Sequence, residues 1–327
     1  MIGFLGRKVL QYVLVLAVAI CVNFALPRLA PGDPLDYLLG DAAFQLTAEQ
    51  RTEVLAQFGL DKPTGEQFRD YVVDLAHFRL GTSVRFGEPV GAVIRDRLPW
   101  TLALVGSSIV LAGLIGTTLG VLSARRRGRS SDVGILAGVM ILDSTPLFWL
   151  GMILLGIFSV QLGWLPLFGA VSAGGEGGFF LTGEVLKRLI LPVATLTLGT
   201  VGGVFLVARY AMVGTLREDF LLMAEASGLS ERRIVFAHAL RNSLLPVTTV
   251  ILLNLGFLLG GATVVETVFS YPGLGRLIYD GVLARDYPLL QGTFLLIAVG
   301  VIACNLAADL LYPILDPRIR RPAKAAD

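Results

Sequence analysis

Three carboxylates stand in stretches that are otherwise apolar: Asp143, Glu266 and Asp309. An ionised side chain at the centre of a bilayer costs about 2.5–3.5 kcal/mol on insertion scales, so each needs a partner or a purpose. Asp143 is followed directly by Ser144, Thr145 and Pro146. A proline there has no N–H to give, frees a backbone carbonyl and predicts a kink beside a small polar patch. Such a patch suits a polar route across a membrane, with Asp143 as a partner for an ammonium group. Glu266 and Asp309 fall near the ends of their apolar runs, where pairing between helices explains them equally well. Catalysis has less support. Ser144 or Asp143 as nucleophile or acid of an intramembrane hydrolase lacks a base. His77 and His238 are isolated, and Cys21 and Cys304 lie in separate apolar runs, giving neither a disulfide frame nor a metal spacing. No G-x-x-x-x-G-K-[ST] phosphate loop, H-E-x-x-H or C-x-x-C occurs. We expect no catalytic residue, no metal site and no cofactor bound by this chain.

The second informative stretch is Arg217–Pro246, REDFLLMAEASGLSERRIVFAHALRNSLLP, a polar, helix-prone segment between two long apolar runs. A membrane protein that inserts such a segment between spans is usually presenting it to a soluble partner. Gly228 allows a sharp exit after MAEAS, because a left-handed residue is cheap only for glycine. Ser230, ahead of Arg232 and Arg233, suits the start of a following helix, and Pro246 marks the return to the membrane.

The elements that hold these residues follow from composition. The chain has 327 residues, 54% hydrophobic and 16% charged, with a mean hydropathy of +0.73. That is too apolar for a soluble domain. Six runs approach the length needed to span hydrocarbon: Val9–Leu26, Thr101–Ala124, Gly134–Phe158, Leu189–Val207, Leu244–Val265 and Leu289–Leu311. The first follows Arg7 and Lys8 as a secretory signal would, but its apolar core is too long and no A-x-A site follows, so it reads as a retained helix. With the N-terminus inside, the inner segments carry 15 of the 27 Lys and Arg, and the two short outer loops only Lys187, Arg188, Arg276 and Arg285. Both termini are therefore expected in the cytoplasm. The overall charge of +2 gives no sign of nucleic-acid binding.

Residues 27–99 form the one sizeable extramembrane block. Pro27, Pro31, Gly32 and Pro34 are expected to stop the first helix. Thr47 with Gln50 predicts a capped amphipathic helix that stops at Gly59, and the run from Gly65 predicts a second. A later outer loop carries the apolar GWLPLFG, with Trp164, Leu165 and Phe168, and then the flexible AGGEGG at 173–178. Small-xxx-small pairs at Gly116/Gly120, Gly134/Gly138, Gly199/Gly203 and Gly256/Gly260 are consistent with close helix packing.

Taken in order, LAPGDP at 29–34, FGLDKP at 58–63, RLPWTLAL at 97–104, STPLFWLG at 144–151, VVETVFSYPGLG at 264–275, RDYPLLQG at 285–292 and NLAADLLYPILDPRIR at 305–320 cover nearly the whole chain. With Ala224, Gly228 and Pro246 in the polar loop, this set resembles the membrane permease subunit of bacterial ABC importers, in the peptide/nickel branch and as the first of its two permeases. The resemblance implies an all-α membrane protein of six transmembrane helices. Its parts would be an N-terminal helix over 1–26, an extracytoplasmic helical segment over 27–99, a five-helix core over 100–313 with a cytoplasmic coupling loop at 214–243, and a cytoplasmic tail over 314–327.

It further implies a bacterial cytoplasmic (inner) membrane location and a pathway shared with a second homologous permease. Two cytoplasmic ABC ATPase subunits would use ATP and Mg, and an extracytoplasmic solute-binding protein would deliver the solute. Residues expected at the ATPase are Leu222, Ala224, Glu225, Ala226, Gly228, Leu229, Arg232 and Arg233. The chain departs from the familiar pattern where Leu222 replaces an initial Glu and where Glu225 and Ser227 replace residues often basic. Asp143, Ser144, Pro146, Asn254 and Glu266 are expected along the pathway. Dipeptides or oligopeptides lead as solutes, with nickel, glutathione, opines or other small solutes as alternatives. A secondary transporter independent of ATP is a lower alternative, which would show two similar halves and buried ion-coupling carboxylates.

Overall fold

In the computed structural model, residues 2–29, 47–57, 61–171 and 182–315 are described, and nearly all of them are helical. Among the described residues, thirteen α-helices follow in order. They are α1 (Ile2–Leu29), α2 (Ala48–Gln57), α3 (Thr64–Ala76), α4 (Val90–Arg125), α5 (Ser130–Asp143), α6 (Leu147–Leu154), α7 (Gly183–Thr215), α8 (Asp219–Ala226), α9 (Glu231–Arg233), α10 (Leu240–Gly261), α11 (Thr263–Val268), α12 (Leu274–Leu283) and α13 (Tyr287–Leu315). Wide π-helical turns continue α6 over Leu155–Gln161 and join α9 to α10 over Ile234–Ala239.

Among the described residues, five helical stretches are long and apolar enough to cross a membrane, and a sixth span exists if α5 and α6 are taken together. That third span is broken rather than kinked, with its halves bent by 98°. The reason lies in Ser144–Pro146. The Ser144 and Thr145 N–H groups still reach back to Met140 and Leu142, but Pro146 has no N–H to continue the ladder and instead opens α6 with ψ near 133°.

Other prolines behave differently from the expectation. Pro27 does not stop α1, which runs on to Leu29, and Pro246 lies within the continuous helix α10. The second span also begins earlier than its apolar run. α4 is 36 residues long and passes through Pro99, so at ~1.5 Å per residue it outreaches the ~30 Å hydrocarbon layer.

Glycine sets the central packing. A Cβ on Gly116 would sit 2.9 Å from Val204 Cβ, and one on Gly120 2.7 Å from Ala208 Cβ and 2.9 Å from the Arg209 nitrogen. These two glycines therefore let α4 and α7 meet backbone to backbone. Gly256 and Gly260 make a looser approach of α10 to α13, where an added Cβ would lie 3.3 Å from side-chain atoms of Cys304 and Ile297. Gly134 and Gly138 have nothing within 4 Å among the described residues, so that pair serves no contact there.

Two of the bundle's four apolar clusters among the described residues matter here. One gathers Trp100, Leu104, Val105, Leu196, Phe269 and Tyr271; the other, at the end that carries Arg125–Arg129 and Arg217–Arg241, gathers Val121, Ala124, Met212, Leu221 and Val235.

At the opposite end α3 of the 27–99 block lies against α1. Thr47 and Gln50 form the reciprocal capping box, with N–H to side-chain distances of 2.9 and 3.4 Å. Gly59 and residues 173–178 lie outside the described residues. Asn23 of α1 and Gln291 of α13 exchange side-chain to backbone hydrogen bonds of 2.8 and 2.9 Å. The Asn23 amide also donates to the hydroxyl of Tyr71 in α3, whose pKa is raised by burial. Asp309 joins α13 to α1 through Lys8, 2.8 Å away, and the Tyr12 hydroxyl.

Candidate functional site: an exposed loop helix and a broken span

α7 ends at Thr215, and after a single turn the chain enters α8, eight residues long. Leu221 is buried, and Leu216, Ala224 and Leu229 pack against the same apolar cluster, so one face of α8 is seated on a platform built from α4, α7 and the Ile234–Ala239 turn. The helix then ends in a Schellman turn. The Gly228 N–H donates to the Glu225 carbonyl at 2.9 Å and the Leu229 N–H to that of Ala224 at 3.3 Å. Gly228 has φ +79°, the left-handed conformation expected for it. Ser230 caps the next helix through its extended backbone but makes no side-chain cap bond.

The outer face of this loop is open. Met223 is 71% exposed, with Phe220, Glu225, Ala226, Arg232 and Arg233 also on the surface. The Leu222 side chain lies outside the described residues. Glu231 pairs with Arg125 at 2.7 Å, tying α9 to the last turn of α4. A cavity of about 230 Å³ lies between them, lined by Arg125, Leu216, Leu221, Glu225, Leu229 and Glu231. A short helix seated on one face, with an exposed Met, an exposed Phe and charges around them, is suited to docking.

The residues expected along a pathway separate into two places. Asp143, Ser144 and Pro146 sit together at the break of the third span and are exposed; Asn254, midway along α10, is half-buried. Asp143 packs tightly on Gly202 of α7, where any side chain would collide with the carboxylate.

Glu266 does not belong with them, since it is 0% exposed and offers no surface to a solute. Its Oε1 accepts from the Thr101 hydroxyl at 2.7 Å and its Oε2 from the Arg276 N–H at 2.9 Å, while Thr101 accepts from the Leu274 N–H at 2.7 Å. Thr101 and Glu266 thus satisfy the first N–H groups of α12, and Gly273 and Gly275 leave room for the carboxylate and for α11. Trp100 meets Tyr271 edge to face at 5.8 Å beside them. The RLPWTLAL and VVETVFSYPGLG motifs are therefore two halves of one joint.

Asp286 of RDYPLLQG makes a comparable joint, accepting from the Ser83 hydroxyl, the Arg85 N–H at 3.0 Å and the Leu289 N–H at 3.1 Å. In the Trp164–Leu165–Phe168 stretch, Trp164 is 69% exposed with its ring 6.0 Å from that of Phe158, and Leu165 packs on the core.

One charged group escaped the sequence reading. Asp132, near the start of α5 and 4% exposed, receives both Nε and Nη2 of Arg209 at 3.0 and 2.9 Å. The only signal for it was an arginine displaced into the end of an apolar run, and nothing in one dimension matched it to Asp132.

With this geometry in view, the chain can be set beside known proteins. The sequence profile of the binding-protein-dependent transport system inner membrane component family matches residues 116–321. The di/tripeptide transport system permease protein DppB of Pseudomonas aeruginosa is 37% identical over 98% of this chain and 99% of its own length. The oligopeptide transport system permease protein AppB of Bacillus subtilis is 37% identical with the same two coverages. The dipeptide transport system permease protein DppB of Escherichia coli is 36% identical over 91% of this chain and 93% of that protein. In fold, the chain is similar to one from the MetNI methionine ABC transporter in inward-facing conformations, with a TM-score of 0.56 at 19% identity over 68% of this chain and 96% of that one. The similarity to permease subunits points to transport rather than catalysis and to work alongside other components of a transport system. A seated loop helix, a broken span and this likeness along nearly the whole chain lead to one conclusion: the protein belongs to the family of multi-pass inner membrane components of binding-protein-dependent transport systems.

Proposed function

We propose that this chain is the first of two permease subunits of an ATP-driven importer for dipeptides and oligopeptides. α8 and the turn after it dock on a cytoplasmic ATPase subunit through Met223, Glu225, Ala226, Arg232 and Arg233, with Leu221, Ala224 and Leu229 seating the helix from below. The basic end of the bundle faces the cytoplasm, as the distribution of Lys and Arg favours, so both termini lie inside. A second homologous permease completes the pathway, two ATPase subunits bind ATP and Mg, and a solute-binding protein delivers the peptide from outside. ATP closes the ATPase dimer, the docked loops move, and the bundle alternates between inward and outward openings. Asp143, Ser144 and Asn254 supply polar groups along the route.

The observation that carries this reading is the short helix α8, seated on an apolar platform with its other face exposed, in a chain alike over nearly its full length to named peptide permeases. The test is uptake of labelled dialanine and trialanine into proteoliposomes holding the four-part membrane complex and its binding protein. Uptake that requires enclosed ATP, and the binding protein, is the expected result. Uptake that proceeds equally without ATP would sink the reading in favour of a secondary transporter.

A further inference from the structure

The inner ends of three long helices meet at one buried charge. The Asp132 carboxylate takes the Ser123 hydroxyl from α4, Nε and Nη2 of Arg209 from α7, and the Gly128 N–H at 3.0 Å from the turn before its own helix. Arg209 Nε also reaches the Ser123 oxygen at 2.9 Å, so the three side chains close a ring. The side chains of Asp132 and Arg209 are 5% and 14% exposed. A forked guanidinium on a carboxylate fixes angle as well as distance, which a lysine does not reproduce.

The ring's position gives it a consequence. α5 lies along α7 and touches it at both ends, through Asp132 on Arg209 and through Asp143 on Gly202. Asp132 and Asp143 are about three helical turns apart and Gly202 and Arg209 about two, so each pair shares one face of its helix. α7 ends at Thr215, one turn before the docking helix, and Met212 lies in the platform beneath that helix. α4 contributes Ser123 to the ring and, half a turn later, Arg125 to Glu231 of the loop. Between Gly120 and the ring there is no slack, because a Cβ on Gly120 would meet Arg209 backbone.

Building on the permease reading, we propose that Ser123, Asp132 and Arg209 are positioning residues that clamp α5 to α4 and α7. A displacement of the docking loop then reaches the break at Ser144–Pro146 as a rigid movement instead of being lost in the loop. Packing carries the weight of holding the helices together; the ring fixes their relative angle.

The test uses the complete complex, with partner permease, ATPases and binding protein, in proteoliposomes, and reads trialanine moved per ATP hydrolysed. Arg209→Lys and Asp132→Asn are expected to assemble in near-parental yield yet consume about 5-fold more ATP per trialanine, the size of effect coupling elements usually show. Ser123→Ala, which keeps the ion pair and loosens only its link to α4, is expected to raise the ratio about 2-fold. It decides the matter if the charge variants fail to assemble. An unchanged ratio in any assembled variant overturns the clamp, because a merely structural role lowers yield without changing stoichiometry. A parental complex that moves no trialanine with ATP overturns the permease reading itself, and the clamp's role with it.

Discussion

Gly228 separates backbone strain from steric collision, since among the described residues no atom lies within 4 Å of where its Cβ would stand. At φ +79° the price of any substitution is therefore conformational. A left-handed L-residue costs about 1–2 kcal/mol, asparagine less because its side chain bonds locally, and a β-branched residue about 2–3 kcal/mol. The opposing anchor is of similar size, as burying Leu221 stabilises the seated helix by about 1.5–3 kcal/mol. Gly228→Val is thus expected to leave α8 in the protein but to unseat it part of the time. Opening worth about 2 kcal/mol raises local exchange roughly 30-fold.

Hydrogen exchange read by mass spectrometry over 219–230, beside uptake and ATP hydrolysis in the reconstituted complex, measures both ends of the argument. The expected order of damage is Val, then Ala, then Asn, with faster exchange and ATP hydrolysis uncoupled from uptake at normal amounts of protein in the membrane. A valine variant with parental exchange and uptake would refute the reasoning. So would an asparagine variant as damaged as the valine one, because left-handed strain would then not be the cause.

Removing the carboxylate cap by Glu266→Ala leaves the Thr101 hydroxyl and the Arg276 N–H without their acceptor and is expected to destabilise the protein by about 1–3 kcal/mol. Glu266→Gln, of nearly equal volume, should lose less. Thermal unfolding in detergent checks this, and two variants melting with the parent would show that the cap contributes nothing. For topology, cysteine introduced at exposed Glu88 should react with an impermeant maleimide on intact cells, and one at exposed Ser130 only after the membrane is opened. Labelling of the Ser130→Cys protein on intact cells would reverse the orientation.

Much of this protein was written in one dimension because the bilayer simplifies the problem. Apolar runs near twenty residues mark spans regardless of partners, since every backbone polar group in hydrocarbon must be satisfied within its own helix. Thr47 with Gln50, and Gly228 after MAEAS, were equally legible, for capping chemistry and left-handed backbone are decided within a few neighbouring residues. What sequence distance hid was pairing. Glu266 read as a pathway residue until Thr101, 165 positions away, and the N-terminus of α12 were found around it. Asp132 went unremarked until Arg209 arrived from α7. Pro146 announced an interruption, but the bend of 98° depends on where α5 and α6 pack, with Asp143 against Gly202 and Leu147 against Gly199. Local conformational preference and transfer into lipid act residue by residue and belong to the sequence. A buried charge is bearable only with a partner placed to within a few tenths of an ångström, and only the tertiary structure supplies that partner.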